Sequence, residues 1–331
     1  MAMTIYDISK KAGVSIATVS RVLNGSENVR PSTRKKVMDV IDKYDYTPNA
    51  FARGMGLHSL KTIGILCADS SDLFLAKAVY FLEQELQANG YESLLCCTGY
   101  NPDIKKNYLN LILSKKVDSI ILVGSHFIGF NEDENQYIKD VSTQVPIMLL
   151  NASFDHPNVY STLCDDYGTM FEAATEMIQS GITDILYLYD SKSYSGLKKL
   201  HGFCDAMKEH NIPGFEKLIH FYDGNIEHLD EVADFVARIA TKGTSFHGIM
   251  TSDDSLAIGS IKYAQKKGIR IPEELSVMGY NNSMLTNCCT PELTSVDNRL
   301  ETQTHQLVQT LLGVLAGEEM PKKSIFSGKI I

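Results

Sequence analysis

Several things are missing from this sequence, and each absence narrows what the chain can be. Its seven cysteines (67, 96, 97, 164, 204, 288 and 289) are scattered and odd in number, and no two are spaced CxxC. Cys96–Cys97 and Cys288–Cys289 are adjacent pairs, and neighbours on a strand point to opposite faces. Neither a zinc site nor a disulfide framework is expected, which leaves small buried thiols. No apolar run approaches the ~18 residues that span a bilayer, so no membrane partner is expected. The opening MAMTIYDISKKAG has no signal-peptide core, so a cytoplasmic location is the expectation. GxSxG, HExxH and the P-loop are absent, and the nine histidines are not clustered. The glycines near 54–56 fit no phosphate cradle. No enzyme, cofactor or metal is implied.

What is present is an ordinary globular composition, 44% hydrophobic and 21% charged. At 331 residues the chain exceeds what a single core usually supports, so more than one domain is expected. The formal net charge of -9 argues against nucleic acid, but its distribution argues the other way. Residues 1–61 carry ten Lys/Arg and five Asp/Glu, a net of +5; the remainder carries a net of -14. A basic head on an acidic body places the phosphate-attracting field at one end.

The head reads as three helices. Thr4 and Asp7 form a capping-box-like start, Ile5, Ile8 and Ala12 follow at helical spacing, and Gly13 ends the helix. Ser15 caps a second helix with apolar Ile16, Val19, Val22 and Leu23, ended by Asn24-Gly25. A third starts near Pro31-Ser32-Thr33 and is expected to bury Val37, Val40, Ile41 and Tyr44. Two short helices joined by Ala-Gly-Val-Ser, with a third packed across them, form a helix-turn-helix unit whose second helix enters the major groove.

TIYDISKKAGVSIATVSRVLNG, followed by NVRPSTRKKV and YDYTPNAFARGM, resembles the lactose-repressor (LacI/GalR) family almost position for position over residues 4–60. The resemblance implies a sequence-specific DNA-binding regulator, most simply a repressor, and puts base reading at the start of the second helix. There stand Ile16 and Ala17, then Thr18, Ser20 and Arg21. Ile16 and Ala17 suit thymine methyls, whereas Arg21 suits guanine O6/N7. Tyr6, Ser15, Asn24, Asn28 and Thr33 are expected to position the DNA backbone, with Thr4 and Ala52 also at the interface. Pro48 stops the third helix and Asn49 can cap a short hinge helix from Ala50 to about Gly56. Met55 stands where family members insert a leucine into the minor groove. The domains expected are a helix-turn-helix domain at 1–48, a hinge at 49–60 and an effector-binding, dimerising body at 61–331.

The body alternates strands and helices through TIGILCA, YESLLCC, VDSIILVG, PIMLLNA, DILYLYD, KLIHFY, FHGIMTS and ELSVMGYNN. This predicts two doubly wound parallel-sheet subdomains, with ligand outside the carboxyl ends of the strands. IMTSDDSLAIGSIKYAQKKGIRIPEELSVMGYNN and TPELTSV extend the family resemblance, which implies a periplasmic-binding-protein-like clamp crossed three times by the chain. The crossings are expected near 160, 290 and 320. The N-subdomain is then about 61–160 and 291–320, and the C-subdomain about 161–290 and 321–331. No heptad-rich tail follows Ile331, so a homodimer on a pseudo-palindromic operator is expected.

Position-by-position matching gives effector-site candidates. They are Phe74 and Leu75 after the first strand, Asn151 after PIMLL, Ser193 and Ser195 after LYLYD, Lys199 one turn on, Asp253 after IMTS and Asn281 after VMGY. Asp72 lies nearby. Such groups hydrogen-bond sugar hydroxyls, although Asp253 or Asp254 could simply cap the helix that follows. Lys199 replaces the family's usual arginine, Gly224 its stacking aromatic and Asn281 its frequent aspartate. The effector expected is polar, neutral and sugar-like. The competing class is a solute-binding protein of the same body fold, which would need an export signal and no basic head.

Overall fold

A computed structural model describes residues 3–23, 26, 28–46, 59–241 and 243–331. The expected hinge helix, with Ala52 and Met55, lies outside the described residues, as does Asn24.

In the head, α1 (Ile5–Ala12), α2 (Ile16–Leu23) and α3 (Pro31–Lys43) enclose Ile8, Val19, Val22, Val29, Val37, Ile41 and Tyr46. The Thr4 hydroxyl accepts from the Asp7 amide, and the Asp7 carboxylate accepts from the Thr4 amide at 3.0 Å. Gly13 takes φ 67°, the left-handed conformation that ends α1. One expectation fails: Tyr44 is exposed and Tyr46 is buried in its place. The helix stops at Lys43 and Asp45 turns through φ 46°, so helical spacing no longer selects the inward residue. Tyr44 instead carries the Lys11 ammonium over its ring.

The body contains two six-stranded sheets. The first runs β11-β5-β4-β3-β1-β2, where β1 is Thr62–Cys67, β2 Glu92–Cys97, β3 Ser119–Val123, β4 Ile147–Leu150, β5 Val159–Cys164 and β11 Lys323–Phe326. The second runs β12-β10-β9-β8-β6-β7, where β6 is Ile185–Tyr189, β7 Ile219–Phe221, β8 Gly248–Thr251, β9 Ser276–Tyr280, β10 Thr294–Asp297 and β12 Lys329–Ile330. The assigned pairings are parallel, apart from β10–β12. β3, β4 and β8 are buried along their whole length, as a sheet covered on both faces requires. The helices are α4 (Leu73–Ala88), α5 (Pro102–Ser114), α6 (Gln136–Ser142), α7 (Asp166–Gln179), α8 (Tyr194–Glu209), α9 (Leu229–Thr241), α10 (Asp254–Lys267) and α11 (Leu300–Ala316).

The crossings fall later than expected, by about five residues at the first place and by seven to nine at the second and third. β10 still belongs to the second sheet and β11 to the first, so the chain crosses at 165, at 298–299 and at 327–328. Strands this short have no periodicity that would show which sheet takes them.

Gly202 of α8 packs directly on the backbone of α7. A Cβ there would overlap the Tyr167 carbonyl oxygen and come within 3.1 Å of the Phe171 amide. Gly202→Ala is therefore expected to lower the unfolding free energy by about 1–3 kcal/mol in urea titration. An unchanged midpoint would show that the helices separate freely.

Candidate functional sites: recognition helix and cleft

Helix α2 has two arcs. Val19 and Val22 are buried against the head's core, while Ile16, Ala17 and Arg21 are exposed. Ile16 and Ser20, and Ala17 and Arg21, are four apart and so share one side. This brings four of the expected base-reading residues onto a single surface. Thr18 lies on the other arc, half-buried, with its amide donating to the Ser15 hydroxyl at 3.2 Å and its hydroxyl 2.9 Å from it. Tyr6, Asn28 and Thr4 are exposed and Thr33 is half-buried at the start of α3.

In the body all nine expected effector residues line one cavity in the cleft. Parallel topology accounts for this. Each residue follows a strand's carboxyl end or opens the helix after it, and those ends face the cleft. Asp72 caps α4, accepting from the Leu75 amide at 2.8 Å. Ser193 caps α8, accepting from the Gly196 amide at 3.3 Å. Asp253 caps α10, accepting from the Ser255 amide at 2.7 Å through Oδ1 and from Asn281 Nδ2 at 2.8 Å through Oδ2. Asn151 and Asn281 have φ 65° and 98°, a region that asparagine enters more readily than most side chains. The Ser125 hydroxyl donates to the Ser193 hydroxyl at 2.8 Å, joining the two subdomains across the cleft.

Sequence reasoning missed other lining residues: Gly124, Ser125, His126, Asp190, Ser191, Gly196, Ile226 and Ser252. Asp190 and Ser252 obey the strand-end rule and were available to it. Ser125 and His126, just past the carboxyl end of β3, obey it too, and Lys105 of α5 holds their turn by donating to the His126 carbonyl at 2.6 Å. Gly224, at the position of the family's aromatic, lies at the cleft mouth, and Ile226 reaches the cavity.

Charge in the cavity is uneven. Asp72, Asp190 and Asp253 meet there, and Lys199 is the one lysine or arginine among the lining residues. Lys199 donates to the Ser252 carbonyl at 2.9 Å and lies 3.8 Å from the Tyr280 ring centroid. Beneath it, fully buried Asp166 accepts from Ser195 Oγ at 2.6 Å and Tyr280 OH at 2.7 Å, and burial raises its pKa. Burial, with Lys105 nearby, holds His126 down to about 4, so that imidazole is neutral at pH 7. Burial, reinforced by the Asp190 charge, pushes Asp253 up to about 7 and raises Asp72.

A carboxyl raised in this way keeps its proton in the folded chain at pH values where the unfolded chain has released it. Its destabilising contribution is absent below about pH 4, grows towards pH 7 and is complete above that. Asp253→Asn removes this contribution. The mutant's urea midpoint, relative to the parent chain, is expected to rise between pH 4 and pH 8; a flat difference would show that Asp253 ionises normally.

Both parts of the chain resemble known proteins. Residues 4–49 match the model of bacterial regulatory proteins of the lacI family, and residues 174–330 match the periplasmic binding protein-like domain. An HTH-type transcriptional regulator of Lachnoclostridium phytofermentans is 50% identical over 329 residues, covering 99% of this chain and 98% of the relative. The lac repressor dimer, solved bound to operator and the anti-inducer ONPF, superposes with TM-score 0.87 at 19% identity, over 100% of this chain and 98% of that one. The transcriptional regulator CelR, solved with cellobiose, gives TM-score 0.71 at 21% identity, over 99% and 98%. With a helix-turn-helix head, a two-sheet body and a relative this similar along its full length, the chain belongs to the lacI family of DNA-binding transcriptional regulators.

Proposed function

We propose that this regulator is a repressor whose operator affinity is set by a small neutral polyhydroxyl effector, a carbohydrate, bound in the cleft. It acts as a homodimer on a pseudo-palindromic operator, with residues 1–48 contacting DNA, 49–60 as the hinge and 61–331 binding the effector and the second subunit. The observation that carries this reading is the cavity lining. Three carboxylates, two asparagines and several hydroxyls converge there, and the cavity's one lysine is already engaged by Ser252 and Tyr280. Carboxylates accept the hydrogens of sugar hydroxyls and repel anions. The complex of CelR with cellobiose supports the carbohydrate class. The match of residues 4–49 to the lacI family disfavours a pure solute-binding protein.

Ligand is tested by thermal shift on the full chain. A bound neutral sugar stabilises by RT ln(1 + [L]/Kd), and its phosphorylated form is expected to give no shift. If sugar phosphates stabilise and their neutral parents do not, the reading fails.

DNA reading is tested on the operator. Replacing the thymines facing Ile16 and Ala17 by uracil is expected to weaken specific binding by about 1 kcal/mol or more, and Arg21→Ala to cost about 1–3 kcal/mol and relax preference at one base pair. Affinity unchanged at every uracil, together with a uniform loss across sequences for Arg21→Ala, would reduce these residues to backbone contacts.

A further inference from the structure

A chain of hydrogen bonds leaves the cleft wall and ends in the other subdomain. Asp253 gives Oδ1 to the Ser255 amide, which leaves Oδ2 for Asn281 Nδ2 at 2.8 Å. An ionised carboxylate only accepts, so it dictates the orientation of the Asn281 amide, nitrogen towards Asp253 and oxygen away. Asn281 Oδ1 then accepts from Asn298 Nδ2 at 3.0 Å, which orients the Asn298 amide as well. Asn298 is 3% exposed and stands on the second crossing, between β10 and α11. Its carbonyl accepts from Nε2 of fully buried Gln303 at 2.6 Å. Gln303 lies in the first turn of α11, whose Leu300, Leu307, Val308 and Leu311 are part of the first subdomain's core.

The polarity of this chain has a cost. The side-chain oxygen of Asn298 is buried with no hydrogen-bond partner among the described residues, and so is that of Gln303. Buried acceptors are rarely left unpaired. The orphan at Asn298 follows from orientation: with Asp253 accepting at one end, Asn298 must present its nitrogen at the other. If position 253 instead presents a donor to Asn281, both amides turn over. Asn281 then donates to Asn298 Oδ1, which gains a partner, while Asn298 Nδ2 gives up its bond to Asn281.

We propose that Asn298 is a positioning residue of the cleft, whose orientation reports through Asn281 whether Asp253 accepts or donates. A ligand that leaves a proton on Asp253 would thereby alter the hydrogen bonding of the segment that links the two subdomains. Its regulatory meaning rests on reading the cavity as the effector site, but its test uses no effector, so either idea can fail alone.

The experiment is NMR on the full chain, deuterated and labelled with 15N-asparagine. The side-chain amide signals of Asn298 are identified by their loss in Asn298→Ser. Asp253→Asn keeps an oxygen for the Ser255 amide and offers an NH2 group to Asn281. It is expected to shift the Asn298 side-chain signals. In Asn281→Gly, which suits φ 98°, adding Asp253→Asn is expected to leave those signals where they were. Asn281→Asp supplies a second, isosteric test: a carboxylate at 281 accepts from Asn298 whatever stands at 253, so the signals should again stay fixed. Asn298 signals unmoved by Asp253→Asn in the parent chain would overturn the proposal. So would an equal movement when Asn281 is replaced, since the influence would then bypass Asn281.

Discussion

In a parallel sheet every strand must hand its chain to a helix that begins beside the strand's carboxyl end, and the cleft of this protein is assembled from those hand-overs. The starts of α4, α8 and α10 leave backbone N–H groups unpaired, and Asp72, Ser193 and Asp253 satisfy them. These caps also line the cavity. Capping and ligand binding are thus compatible duties for one side chain, since a carboxylate has two oxygens and a cap occupies one of them. The helix ends favour negative charge at these positions. For Asp72 and Asp253, burial and mutual repulsion outweigh that preference, because both are raised above the usual carboxylate range.

The crossings need polar partners too. Asp166 follows the first crossing and binds Ser195 and Tyr280, both of the second subdomain. Asp254 binds Ser295 Oγ at 2.6 Å, just before the second crossing, and the Ser283 amide at 2.6 Å. The Gly328 amide donates to Thr169 Oγ1 at 2.9 Å at the third. Each crossing is fastened to the second subdomain by a side chain at or near the start of a helix, so a change in the cleft acts on segments whose geometry is already constrained.

Most of this was legible in the sequence because strands buried on both faces read as apolar runs, and helices ending in Gly90, Gly181 or Gly268 are punctuated by residues that take positive φ. β10, β11 and β12 were not. β11 reads Lys-Ser-Ile-Phe with Lys323 and Ile325 exposed, so neither an apolar run nor an inward face marks it. α11 was also passed over, although its LETQTHQLVQTLLGVLA buries one apolar stripe. In the cleft, residues attached to strand ends could be found one at a time. Residues farther from a strand end, such as Ile226, could not, because linear order carries no record of the turn that brings them to the cavity. The Asn281–Asn298 pair escaped for the same reason, being seventeen residues apart and on different elements.

Charge divides the sequence into two parts with different duties. The net of -14 outside the head is spread over a body that must not compete for phosphate, so DNA attraction is left to a head with +5. Within the cleft the same excess of carboxylates acts at short range. Asp72, Asp190 and Asp253 raise the free energy of any bound anion while leaving acceptors for hydroxyl hydrogens. Under the proposed function, a regulator with these charges discriminates twice by sign, towards the DNA polyanion and against small anions in the cleft. In the proposed reading the exposed arc of α2 supplies what charge cannot, since phosphates are alike at every base pair and Ile16, Ala17 and Arg21 offer groups that distinguish one base edge from another.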